Sequence, residues 1–154
     1  MPADSVTSAM LLLHLAATWY LVGLCWLVQR VQYPLMRLVG PASFEAYEAG
    51  HVRRITPLVG PVMVVELLSG VALLLFCGVP FTSPVFVLGL ALVVAIWIST
   101  FARQVPLHAI LARGFDSEAH VALVRSNWIR TLAWTARGLI VTIVAFGWIG
   151  GRLP

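Results

Sequence analysis

The sequence predicts an all-α integral membrane protein: a four-transmembrane-helix bundle built from two parallel two-helix repeats, with helical cytoplasmic connections. Three observations predict it. Of 154 residues, 60% are hydrophobic and 10% are charged, whereas soluble domains carry about 25% charged residues. Such a chain has more apolar surface than water tolerates. Four long apolar runs punctuate it. Finally, the pentapeptide QYPLM at residues 32–36 returns as QVPLH at 104–108, 72 positions later.

The apolar runs are Ala9–Val28, Leu58–Phe76, Val85–Phe101 and Leu132–Ile149. A bilayer core of about 30 Å needs about 20 helical residues, with a usual range of about 17–25. Transmembrane β-strands would alternate polar and apolar residues over about ten positions. Runs such as VALLLF and VFVLGLALVVAIWI do not alternate. The whole chain, 1–154, reads as one membrane domain, with repeat 1 at about 9–78 and repeat 2 at about 85–150. The N-terminal MPADSVTSAM has no basic stretch and precedes no small-residue cleavage site, so no removable signal peptide is expected. Cys25 and Cys77 fall in apolar runs without metal-type spacing and read as small buried hydrophobes.

Orientation follows from the arginines, since the chain has no lysine. Nine of the ten lie between the first and second runs or between the third and fourth, or just inside those helix ends. Only Arg152 lies on the other side, and the CGVPFTSP link is uncharged. The positive-inside rule puts both long connections in the cytoplasm and both termini outside, in a bacterial inner membrane. No nucleic-acid partner is expected.

The first connection, PASFEAYEAGHVRRI, places Phe44, Tyr47, His51 and Arg54 at helical spacing. Thr56–Pro57 then reads as an N-cap followed by proline at the first position of the second span. In the second connection Asp116 offers an N-cap, and a helix is expected to run unbroken from near Ser117 into the membrane. His120, just past that cap, is expected to be solvated, and His14 to sit at the outer interface.

The repeat orders its polar residues alike. Each Q-x-P-L ends an odd-numbered helix, a glycine-containing turn follows, then a segment with Phe near its start (Phe44, Phe115). The segments close on HVRRIT (His51, Arg54, Thr56) and NWIRT (Asn127, Arg130, Thr131). Parallel repeats imply a pseudo-two-fold axis along the membrane normal, which would bring Gln32, His51, Gln104 and His108 to one end of the bundle.

Glu66, alone in PVMVVELLSG, lies about 13 Å along the helix from Pro57 at 1.5 Å per residue. A charge at that depth is costly unless paired, and Arg137 lies at a comparable depth on the fourth helix. A Glu66–Arg137 pair is therefore expected. Two function classes remain. One is a membrane-embedded enzyme, a cofactor-binding protein or an anionic-lipid-binding protein. Its catalytic candidates are His51, Glu66 and His108, with His51 and His108 as ligands of haem or a transition metal. Gln32, Arg54, Gln104, Asn127, Arg130, Trp134 and Arg137 would bind an anion or substrate such as anionic lipid, quinone or haem, since Arg binds carboxylate and phosphate bidentately. The alternative is a non-catalytic accessory subunit of a larger respiratory or photosynthetic membrane complex. A homo-oligomer is compatible with either.

Overall fold

A computed structural model describes residues 5–150, so the first four residues and Arg152 lie outside it. Among the described residues every regular element is helical. Four helices are long and apolar enough to cross a membrane: α1 (Ser5–Met36), α2 (Pro41–Phe76), α3 (Pro84–Leu111) and α4 (Ser117–Ile149). Each contains one of the apolar runs and extends beyond it, so the connection helices continue the spans rather than standing apart.

The second span does not begin at Thr56–Pro57. α2 starts at Pro41, with Gly40 extended at the N-cap position, and runs 36 residues through Pro57 and Pro61. The Thr56 hydroxyl bonds back to Val52 O at 2.8 Å instead of capping. Each internal proline removes one ladder bond and costs a helix about 3 kcal/mol. The carbonyls that lose a donor, four residues back, belong to Arg53 and Pro57, both exposed. Packing on either side of the prolines offsets the rest, with Phe44 and Glu48 buried before them and Met63 and Glu66 after them.

The prolines of Q-x-P-L act differently. Ahead of each lies a five-residue π turn, Val28–Gln32 in α1 and Thr100–Gln104 in α3. The Tyr33 N–H reaches Val28 O and the Val105 N–H reaches Thr100 O, both five residues back. Pro34 and Pro106 bring no N–H and crowd the carbonyl four residues earlier, which favours the wider turn. The two pentapeptides thus share a local geometry as well as letters.

α4 begins as expected at Ser117. Asp116 accepts from Glu118 N and Ala119 N, both at 2.9 Å. Replacing Asp116 with Ala is expected to cost about 1 kcal/mol, read as a lower unfolding midpoint in detergent. An unchanged midpoint would show that packing alone sets this helix start.

α1 packs on α2 and α4, and α4 packs on α3. The α2–α3 seam is the sparsest of the four neighbouring contacts. The distribution of side chains is inverted relative to a water-soluble bundle. Leu12, Leu68, Val94, Ile143 and Phe146 are exposed, while His14, Glu66, Asn127 and Arg137 are buried. Three apolar layers stack along the bundle: Leu11, Leu73, Phe86 and Val141 at one end, Leu21, Met63 and Ile96 in the middle, Met36, Phe44 and Leu123 at the other. Polar layers lie between them.

Candidate functional site

The first polar layer holds the expected ion pair. Arg137 Nε donates to Glu66 Oε1 at 2.9 Å, with side-chain exposures of 0% and 1%. The pair bridges the diagonal between α2 and α4, helices whose backbones do not otherwise approach among the described residues. Glu66 Oε1 also accepts from Thr18 at 3.0 Å, and Oε2 accepts from Trp134 Nε1 at 3.0 Å. Arg137 Nη2 lies 2.7 Å from His14 Nε2. A guanidinium only donates, so Nε2 accepts and the ring proton sits on Nδ1. That proton goes to Ser69 Oγ at 2.7 Å, and Ser69 donates to Val65 O at 2.6 Å. His14 is therefore a fully committed interior residue, not an interfacial one.

Space for this layer comes from a glycine. A Cβ at Gly70 would fall 2.8 Å from His14 Cε1 and 2.7 Å from Leu90 Cδ2. Gly70→Ala is expected to displace the His14 ring from Arg137 and reduce the yield of folded protein. Wild-type yield and midpoint for that variant would mean that the helices part at no cost here. Glu66, Arg137 and His14 are not among the residues lining the two cavities of the α2–α3 side. Glu66 and Arg137, candidates for chemistry and anion binding from the sequence, are paired with each other here, and their reach to the second layer is through Trp134.

The second layer surrounds a mostly apolar pocket of about 250 Å³ between α2 and α3, backed by α1 and α4. Its polar wall includes Tyr33, His51, Gln104, His108, Asn127 and Arg130. Arg130 is buried and lies over the Trp134 ring, 5.0 Å from its centroid. Its Nη1 donates to Asn127 Oδ1 at 3.1 Å, and its Nε has no hydrogen-bond partner among the described residues. Among the described residues no carboxylate lies within 4.0 Å of it; the ion pairs formed are Glu66–Arg137 and Glu48–His108. Asn127 is itself held, donating to Gln29 Oε1 at 2.9 Å.

His51 and His108 do meet, with ring centroids 5.5 Å apart and planes tilted by 30°. His108 Nδ1 is 2.5 Å from Glu48 Oε1, and Nε2 is 3.1 Å from the Tyr33 hydroxyl. A carboxylate behind Nδ1 is common for metal-bound histidine, but here the nitrogen that would ligate is occupied by Tyr33. Among the described residues no group of three or more His, Cys, Asp or Glu side chains is arranged to hold a metal ion. No third metal ligand therefore joins His51 and His108 among the described residues.

Two more of the sequence candidates, besides Glu66 and Arg137, lie away from the pocket. Arg54 is exposed and bonds its own helix at Gly50 O, 3.0 Å away. Gln32 donates to the Tyr47 hydroxyl and does not line the pocket. Conversely, Tyr33 and Glu48 were not singled out by the sequence, and His120 is buried rather than solvated, its Nε2 2.8 Å from Tyr33 O. Glu48 carried a usable signal: it stands four residues after Phe44 and three before His51, on one helical face. No family model matches the chain, and comparison with curated proteins and with solved structures yields no match.

Proposed function

We propose that this is a small inner-membrane protein, both termini outside, that binds an amphiphile with an acidic oxygen head in the α2–α3 pocket. The head sits on Arg130 and the apolar tail leaves through the seam. The supporting context is four apolar helices, an inverted distribution of side chains and arginines gathered at the Q-x-P-L end. The shared π-turn geometry supports reading the halves as a duplication, which puts the pocket between matched copies.

The observation that carries the reading is Arg130, a buried cation with no carboxylate partner among the described residues, facing an apolar pocket. Holding an unpaired charge in a protein interior costs several kcal/mol. One amide oxygen and a tryptophan face offset part of that; a carboxylate or phosphate oxygen would supply the missing charge. Entry is lateral, since the pocket-lining residues Thr56, Phe101 and Val105 on α2 and α3 are exposed at the seam.

The test is binding to the purified protein in nanodiscs, using decanoate, decanol, inorganic phosphate, and phosphatidic acid in the nanodisc itself. Binding of decanoate but not decanol is expected, because only the former brings the anion. Saturation by phosphatidic acid would identify a lipid headgroup as the source, and binding of phosphate alone would identify a free anion. Equal affinity for decanol and decanoate would overturn the reading.

A further inference from the structure

The Tyr33 hydroxyl at the pocket wall has two neighbours, Gln104 Oε1 at 3.2 Å and His108 Nε2 at 3.1 Å. The Gln104 amide is oriented from its other end: its Nε2 donates to Ser126 Oγ at 2.8 Å, and Ser126 donates to Leu123 O at 3.2 Å. Its carbonyl oxygen therefore faces Tyr33. A phenol has one proton to give. If Tyr33 gives it to Gln104, His108 Nε2 must donate to Tyr33. The Glu48–His108 couple then holds two protons, as imidazolium beside carboxylate or as imidazole accepting from a carboxylic acid. If Tyr33 donates to His108 instead, the couple holds one proton, on Nδ1. The two states differ by one proton and a rotation about the phenol C–O bond. No heavy atom has to move.

The couple also touches two compartments. His108 lines the ligand pocket and a second cavity of about 500 Å³ in the α2–α3 groove, which Glu48 and the exposed Arg53 line as well. Ile55, Thr56 and Val105 are shared between the cavities and form the partition beside His108. Glu48 is fully buried, and its Oε2 has no hydrogen-bond partner among the described residues.

The geometry points to a proton relay running from the second cavity through Glu48 and His108 to the Tyr33 hydroxyl, where one proton is exchanged with the head of the bound amphiphile. This rests on the acidic-head reading and narrows it. The ligand is a weak acid whose head gains or loses a proton in the site, such as a hydroxyquinone, phenol or enol with an apolar tail. A permanently charged phosphodiester does not qualify. In the forward step the Tyr33 O–H bond breaks as its proton passes to the anionic oxygen of the ligand. The His108 Nε2–H proton passes to the Tyr33 oxygen, and the couple falls from two protons to one. Water in the second cavity restores the missing proton. No electron moves, and the reverse sequence deprotonates the neutral head.

The charged and titratable groups around His108 set the balance. Tyr33 faces it from α1, with His120 of α4 bonded to the Tyr33 carbonyl; Glu48 and His51 face it from α2. Arg130 of α4, across the pocket, favours the anion. The relay supplies the proton and Arg130 opposes its transfer, so the two act in opposite directions on the charge of the head.

The test uses a decyl-substituted hydroxynaphthoquinone, whose neutral and anionic forms absorb differently, bound to the full-length protein in nanodiscs and titrated with acid. Tyr33→Phe, His108→Gln and Glu48→Gln are each expected to move the acid constant of the bound probe by about tenfold, one pKa unit. Each variant is titrated at saturating probe, with its affinity measured on the same sample. Tyr33→Phe removes only a hydroxyl and keeps the test decisive if the other two variants fold poorly. A bound-probe titration unchanged in Tyr33→Phe and in every folded variant would overturn the relay and leave the binding site standing. If the wild type does not bind the probe, or binds it equally well as Arg130→Gln, the acidic-head reading itself falls and the relay with it.

Discussion

Arg130→Gln is expected to weaken decanoate binding by ten- to a hundredfold and to leave the empty protein as stable as the wild type, or more so. The affinity loss follows from removing a charge-assisted bond, worth about 1.5–3 kcal/mol, at about 1.4 kcal/mol per factor of ten. The stability term has the opposite sign. Without a ligand Arg130 is a buried cation with no carboxylate partner among the described residues, so Gln removes a desolvation cost. It can still reach Asn127. This pairing of outcomes separates a binding role from a packing role, because a packing arginine would lower the unfolding midpoint when shortened. Arg130→Lys should be intermediate in affinity: the charge remains, but the planar donor fork and its stack on Trp134 do not. The measurements are a binding isotherm in nanodiscs and a thermal unfolding midpoint on the same preparations.

Glu66→Gln is expected to have the largest effect on folding. It leaves Arg137 charged, buried at 0% exposure and without its counter-ion. Breaking a buried pair from one side costs about 3–5 kcal/mol, a large share of the stability of a small domain. The folded yield should fall, and Trp134 should lose the acceptor of its indole N–H, visible as a change in tryptophan emission. Replacing both partners with Met should recover much of the yield, because an apolar pair of similar volume leaves no orphaned charge. A Glu66→Gln protein of normal yield and midpoint that no longer binds ligand would instead assign Glu66 to the site, the role its position in the sequence first suggested.

The Glu66 layer was legible because an apolar interior leaves a charge few options. A lone glutamate in the middle of an apolar run needs a cation at its own depth, and only Arg137 offered one. The meeting of His51 and His108 was legible from the repeated Q-x-P-L. The connection helices were harder to read. Phe44, Tyr47, His51 and Arg54 describe a plausible helical face, but the inward face is Phe44, Glu48, His51 and Ile55, rotated by about one position. Both faces fit helical spacing, so periodicity alone does not choose between them. Pro57 looked like a helix start because its cost is visible in the sequence, whereas the packing on either side that offsets it is not. Tyr33 is not legible in the sequence because the turn before it is not an α turn, and the polar face of α1 at a period of 3.6 does not carry through five residues of π geometry.

Those wide turns have a consequence for how this helix pair tolerates change. A π turn accommodates one residue more than the α ladder around it. Relative to a straight helix, everything beyond it is turned by about 100°, the angle subtended by one helical residue. Removing any single residue from Val28–Gln32 would let the ladder close as an α-helix and swing Tyr33 off the pocket wall. The same deletion in Thr100–Gln104 would swing His108. The two halves therefore carry the same one-residue phase offset, and the aim of the polar wall depends on chain length at those points as much as on which side chains are present. A lengthening or shortening by one residue there is a larger alteration than most substitutions, and matched changes in both halves would re-aim the wall while keeping its two sides in step.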